Sequence, residues 1–202
     1  SEIKMRRIVL ILIFLLFTSY QLPVTGYAQE GVTVMKKVVM VIAQDDFRDE
    51  ELLEPKEILE RNGIEVKIAS TTLNQVKGVL GTKVKPNLLI TDIEIKDFGA
   101  IVFVGGGGAS QYWDDPVAHK LAQDAINTNR IVAAICIAPV TLARAGILKG
   151  KRATVFSSEA GQLKANGVDY TGKAVEKDGN IITANGPSAA IEFGEELAKA
   201  LK

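Results

Sequence analysis

The only cysteine in the 202-residue chain, Cys136, sits in the stretch Ala133-Ala134-Ile135-Cys136-Ile137-Ala138-Pro139. An apolar run ends on it and a proline follows closely, which places it at a strand-to-helix junction. A sharp turn there exposes a sulfur above the sheet edge, as in a nucleophile elbow. The helix N-terminus beyond favours a thiolate through its dipole and free N–H groups. A buried structural cysteine, acting as a small hydrophobe, fits the same local sequence. Gly105-Gly106-Gly107-Gly108 follows another apolar run. Glycines let backbone N–H groups approach a ligand, so the N–H of Gly106 with that of Ile137 could form an oxyanion hole beside the sulfur. The alternative is a flexible turn, and no Gly-Lys-Ser/Thr follows to make a phosphate loop.

Asp49, Glu50, Glu51 and Glu54 crowd one helix start. Complementarity to the helix dipole accounts for most of them. One carboxyl kept protonated by burial could still donate a hydrogen bond to a thiolate and lower its pKa. His119 is the only histidine. It falls mid-helix after Asp115-Pro116, on a surface, and is not expected to be the base for Cys136. Without a second histidine a Cys–His pair is hard to build. No Cys/His cluster offers a zinc site, and no cofactor is called for.

The elements that position these residues follow from the pattern. The unalternating apolar run 37–43 suits a strand buried on both faces. Residues 49–62 read as a helix with Leu52, Leu53, Ile58 and Leu59 as its stripe and Asn62-Gly63 as its stop. Pro55 lies early enough in that helix to be tolerated. Strands follow over 65–69, 100–104, 131–135, 153–156 and 181–184. Asp115-Pro116 caps a helix reaching about 128, and helices over 139–145 and 189–201 complete the set. Residues 71–92, punctuated by Gly78, Gly81 and Pro86, predict only short β pieces. Alternating strands and helices predict an α/β fold with a mostly parallel sheet covered on both faces. Ligands of such sheets bind outside the carboxyl ends of the strands. The acidic stretch, the glycines and Cys136 all leave such ends.

Composition bounds the partners. A chain 47% hydrophobic and 24% charged supports one globular domain with a sizeable core. Its 24 basic residues balance 24 acidic ones, with no basic block in the body, which argues against nucleic acid. Lys4, Arg6 and Arg7 precede an apolar run over 8–17, and Gly26-Tyr27-Ala28 forms a small-x-small site. This predicts a signal peptide over 1–28, a short linker over 29–36 and the domain over 37–202. The run is shorter than the roughly 20 apolar residues of a spanning helix. The protein is then periplasmic or secreted, with no membrane attachment after cleavage. A start at Met35 would instead leave it cytoplasmic. An oxidising compartment would threaten a lone reactive thiol, which favours sensing over routine catalysis there.

Taken together, the motifs resemble the PfpI family, the superfamily of intracellular proteases/amidases and the Parkinson-disease protein deglycase, related to class I glutamine amidotransferases. The resemblance covers residues 35–202. Its carriers are Phe47-Arg48-Asp49-Glu50-Glu51-Leu52-Leu53-Glu54-Pro55, Val104-Gly105-Gly106-Gly107, Ala134-Ile135-Cys136-Ile137-Ala138-Pro139, and Thr183-Ala184-Asn185-Gly186-Pro187 with Glu192-Phe193. It implies a flavodoxin-like three-layer α/β/α sandwich, commonly a homodimer. It implies Cys136 as the elbow cysteine, Glu51 as the glutamate that hydrogen-bonds its sulfur, and Gly106 and Ile137 as the oxyanion-hole donors. Gly105, Gly107 and the Asn185-Gly186-Pro187 loop would line the same pocket. The sequence departs from the family at two places. The protease-like branch has His directly after Cys, where this chain has Ile137. The deglycase-like branch has His on a later strand, near Phe156 here. Peptidase activity, which needs a base, becomes doubtful. Three readings stay open: a thiol enzyme of glyoxalase or deglycase type on small carbonyl compounds, a stress protein sensing an oxidant through Cys136, and a non-catalytic binding domain.

Overall fold

Val38, Met40 and Ile42 alternate with Val39 and Val41 along the first strand and the residue after it, and all five side chains are buried, so the strand needs an apolar layer on each face. The computed structural model, which describes residues 35–202, supplies both layers. Its elements are β1 (Lys37–Val41), β2 (Asp45–Phe47), α1 (Asp49–Arg61), β3 (Glu65–Ser70), β4 (Val76–Gly78), β5 (Lys83–Val84) and β6 (Leu88–Leu89). There follow β7 (Ala100–Phe103), α2 (Pro116–Asn127), β8 (Ile131–Ile135), α3 (Pro139–Arg144), β9 (Arg152–Ala153) and α4 (Ala160–Ala165). The chain closes with β10 (Asp169–Tyr170), β11 (Val175–Asp178), β12 (Ile181–Ala184) and α5 (Ala190–Ala200).

The main sheet has seven strands in the order β11-β12-β8-β7-β1-β3-β6. Every pairing in it is parallel except that of β11 with β12 at one edge. One face packs Val38, Met40 and Ile42 against Leu52 and Leu59 of α1 and Phe193 and Leu197 of α5. The other packs Val39, Val41, Ile101 and Phe103 against Leu121 of α2 and Leu142 of α3. This is the expected α/β/α sandwich. β1 sits where the order reverses: the chain leaves it for β3 on one side and returns to β7 on the other. The carboxyl ends around that reversal are where ligands of open α/β sheets bind.

The expected helices and main strands are present, with ends shifted by a residue or two. The strand expected over 153–156 shortens to β9. Past Ala153 the backbone leaves the ladder: the Thr154 N–H donates to the Thr183 hydroxyl at 2.9 Å. The Phe156 N–H donates to the Cys136 carbonyl at 2.8 Å. The short β2, β10 and α4 and the polar edge strand β11 had no separate prediction. The ambiguous 71–92 segment resolves into β4, β5, β6 and a 3-10 turn at Ile90–Asp92. The signal peptide expected over 1–28 and most of the linker expected over 29–36 fall outside the described residues. Among the described residues, no helix is long and apolar enough to cross a membrane.

Candidate active site

Cys136 follows directly on β8 and has φ 65, one of three non-glycine residues with positive φ among those described. A cysteine gains no local benefit from the left-handed region, so the surroundings must hold it there. Both of its backbone groups are pinned. Its N–H donates to the Ala184 carbonyl at 3.0 Å, at the end of β12, and its carbonyl accepts from Phe156. The turn lifts the side chain off the sheet into a site where it is 8% exposed.

Glu51 reaches the same point from the first turn of α1 and is 0% exposed. Apart from Cys136 and the Gly105 N–H, its carboxyl oxygens have no hydrogen-bond partner among the described residues. Gly105 makes the approach possible: a Cβ at this position would run into the Cys136 Cβ and Glu51 Oε2. Gly106, at φ 96, turns the chain where a side chain would strike the backbone of residues 46–48. The Gly106 and Ile137 N–H groups are directed at the sulfur and favour its ionised form.

The field at the pair is dominated by burial. It pushes the Glu51 carboxyl up to about 7, against the downward pull of Cys136, Arg48 and the Gly105 N–H. It also pushes the Cys136 thiol up to about 12, helped by the charge of Glu51, and the two N–H groups only partly oppose this. Burial thus opposes the thiolate that the helix N-terminus was expected to favour. α3 begins only at Pro139 and is short, so its dipole does not outweigh desolvation and a neighbouring carboxylate. At about pH 7 the Glu51 carboxyl is in mid-titration while the thiol keeps its proton.

Cys136 and Glu51 form the floor of a cleft of about 410 Å³. Gly106, Gly107, Ile137, Phe156 and Pro187 line it, as expected. Asn185 and Gly186 do not. They line an adjoining cleft of about 300 Å³ with Tyr170 and Gly172, and Phe156 and Pro187 stand between the two. Gly105 forms the wall behind the pair, its carbonyl accepting the Arg48 N–H at 3.0 Å. Arg48, Val79 and Ser158 were missed as lining residues. Arg48 stood inside the acidic motif without a role. Val79 sits between Gly78 and Gly81, a pairing that could have been read as a hairpin tip. His119 is away from the sulfur, its Nε2 2.8 Å from the Trp113 carbonyl. Among the described residues no His/Cys/Asp/Glu cluster could hold a metal ion.

A family model described as the DJ-1/PfpI family matches residues 36–200. The chain belongs to the DJ-1/PfpI family. An uncharacterised protein of Methanocaldococcus jannaschii is 42% identical over 201 residues, 98% of each chain. A Pyrococcus furiosus protein named deglycase PfpI is 29% identical over 164 residues, 81% of this chain and 99% of its own. A Caenorhabditis elegans protein named glutathione-independent glyoxalase is 26% identical over 167 residues, 83% of this chain and 89% of its own. Among solved structures, a ThiJ/PfpI domain protein from Brachyspira murdochii superposes with a TM-score of 0.81 at 32% identity, covering 83% of this chain and 96% of that one. Within this DJ-1/PfpI frame, Ile137 and Phe156 stand at the two places where the resemblance gave one branch or the other a histidine, and both line the cleft.

Proposed function

We propose that the protein is a thiol-dependent enzyme acting on small carbonyl compounds, with Cys136 as nucleophile and Glu51 as its base. The observation that carries this is the buried Glu51 carboxyl set against the Cys136 side chain, with no other side chain bonded to it. A carboxyl pushed up to about 7 has the acidity usually supplied by histidine, and a base works best near the operating pH. As sulfur attacks the carbonyl carbon, Glu51 accepts the Sγ–H proton. The C–S bond forms and the carbonyl π pair moves to oxygen, where the Gly106 and Ile137 N–H groups meet the developing charge. Glu51 then returns the proton to that oxygen, giving a neutral hemithioacetal.

The largely apolar cleft has ample room for a molecule of a few carbons. The glyoxalase and deglycase names of the two relatives support the same substrate class.

The test is methylglyoxal consumption by wild type, Cys136→Ser and Glu51→Gln. Cys136→Ser is expected to be inactive. Glu51→Gln should lose about 100-fold or more, the usual scale of a general base. Its thiol should nonetheless become more acidic by ultraviolet titration, because the charge that raises it is gone. Wild-type turnover should rise as pH passes through about 7, where Glu51 loses its proton. Full activity in Glu51→Gln would remove Glu51 as base, and no turnover of any aldehyde would remove the reading.

A further inference from the structure

Among the described residues, Arg48 is the only cationic side chain lining the Cys136 cleft, whose other lining side chains are apolar apart from Glu51, Cys136 and Ser158. Its guanidinium is fixed along one edge. Nε donates to one oxygen of Glu50 at 2.8 Å and Nη2 to the other at 2.9 Å. Nη1 has no protein acceptor among the described residues. The side chain keeps 32% of its exposure, so it is reachable from solvent. The backbone is fixed as well, through the N–H of Arg48 on the Gly105 carbonyl, one residue from the Gly106 donor. The head group therefore has a set position relative to the sulfur.

The nearby acids leave this role open. Asp49 is spent on the amides of Leu80 and Thr82, each at 2.8 Å. Glu51 is buried at the floor. Glu50 holds the outer edge of the guanidinium and partly offsets its charge. A planar guanidinium already held in place loses little freedom on pairing and matches a carboxylate in shape. A neutral dicarbonyl in this cleft makes no use of that cation.

We infer that Arg48 is an anion-recognition residue at the mouth of the cleft, selecting carbonyl compounds that carry a carboxylate. The substrate part rests on the proposed function; the charge selection does not. Because Cys136 is the only cysteine in the chain, its alkylation can be followed without interference. Iodoacetate and iodoacetamide are close in size and differ by one charge. With each, the thiolate forms a C–S bond and displaces iodide. The ratio of the two rates cancels any change in thiolate fraction and reports only how the cleft treats the anion.

Arg48→Gln should lower the iodoacetate-to-iodoacetamide ratio about two- to fivefold, the scale of a half-exposed charge contact. Arg48→Lys should keep most of the ratio, and Glu50→Gln should raise it. An unchanged ratio in Arg48→Gln overturns the inference. In parallel, the kcat/KM ratio of glyoxylate to methylglyoxal should fall in Arg48→Gln. If neither aldehyde turns over but the alkylation ratio shifts, the catalytic reading fails and the recognition role stands. If both turn over and neither ratio shifts, the reverse holds.

Discussion

A carboxylate and a thiol in contact, both out of water, make the folded protein hold protons that the unfolded chain releases. For Glu51 the ordinary value of 4.5 becomes about 7 on folding. Between those values the folded state binds more protons than the unfolded one, so raising pH subtracts stability. The loss is complete above about 7 and amounts to roughly 3 kcal/mol. Glu51→Gln should therefore resist urea better than wild type at about pH 8, with the advantage shrinking at about pH 5. Equal midpoints at both would mean that the carboxyl is well solvated. Ile137→His tests the neighbour. Its side chain lines the cleft, and an imidazolium there should lower the thiol pKa and speed iodoacetamide alkylation, about tenfold for each unit. An unchanged rate would mean that the residue after the cysteine does not tune it. At this scale the sequence was informative about position and less so about state. Cys136, Glu51, Gly106 and Ile137 converge as the motifs implied. The resting charge of the pair depends on burial, which no local pattern reports.

Among the elements, the hairpin formed by β4 and β5 carries Val79 to the cleft, and Asp49 holds it. The carboxyl lies behind Gly78, where any side chain would collide with it. Burial alone would raise its pKa, but the hydrogen bonds from Thr82 and Leu80 outweigh this and hold it below the ordinary range. Asp49→Ala should cost about 1.5–3 kcal/mol, the scale of hydrogen bonds to a charged group. It should also speed amide exchange at Leu80 and Thr82 specifically. Unaltered exchange there would show the hairpin to be self-supporting. The helix start was legible as a crowd of acids, but their separate partners were not: Glu50 pairs with the Arg48 guanidinium. What Asp49 binds lies about thirty residues away in sequence, in the segment whose Gly-rich pattern gave only short β pieces. Edge and loop elements of this kind are specified by single tertiary hydrogen bonds. The long elements are specified by periodicity, which is why α1, α2, α5 and the buried strands were readable.

On the scale of the whole molecule, the sheet gathers residues from β1, β7, β8 and β12 ends that are far apart in sequence. The unalternating apolar strands made that architecture legible, because only a sheet covered on both faces buries them. The division of the carboxyl edge into two clefts was not legible, since it depends on where the Phe156 ring comes to rest. The same edge holds Cys136 at φ 65, against the preference of any residue with a Cβ. Such a conformation costs about 1 kcal/mol or more, and glycine escapes it. Cys136→Gly should accordingly unfold at higher urea than Cys136→Ala, although it gives up a Cβ inside a buried site. If it does, the two inert variants rank by backbone freedom rather than by packing. Durability and reactivity then pull in opposite directions at one residue, and the rest of the fold supplies the force that keeps the thiol where it is.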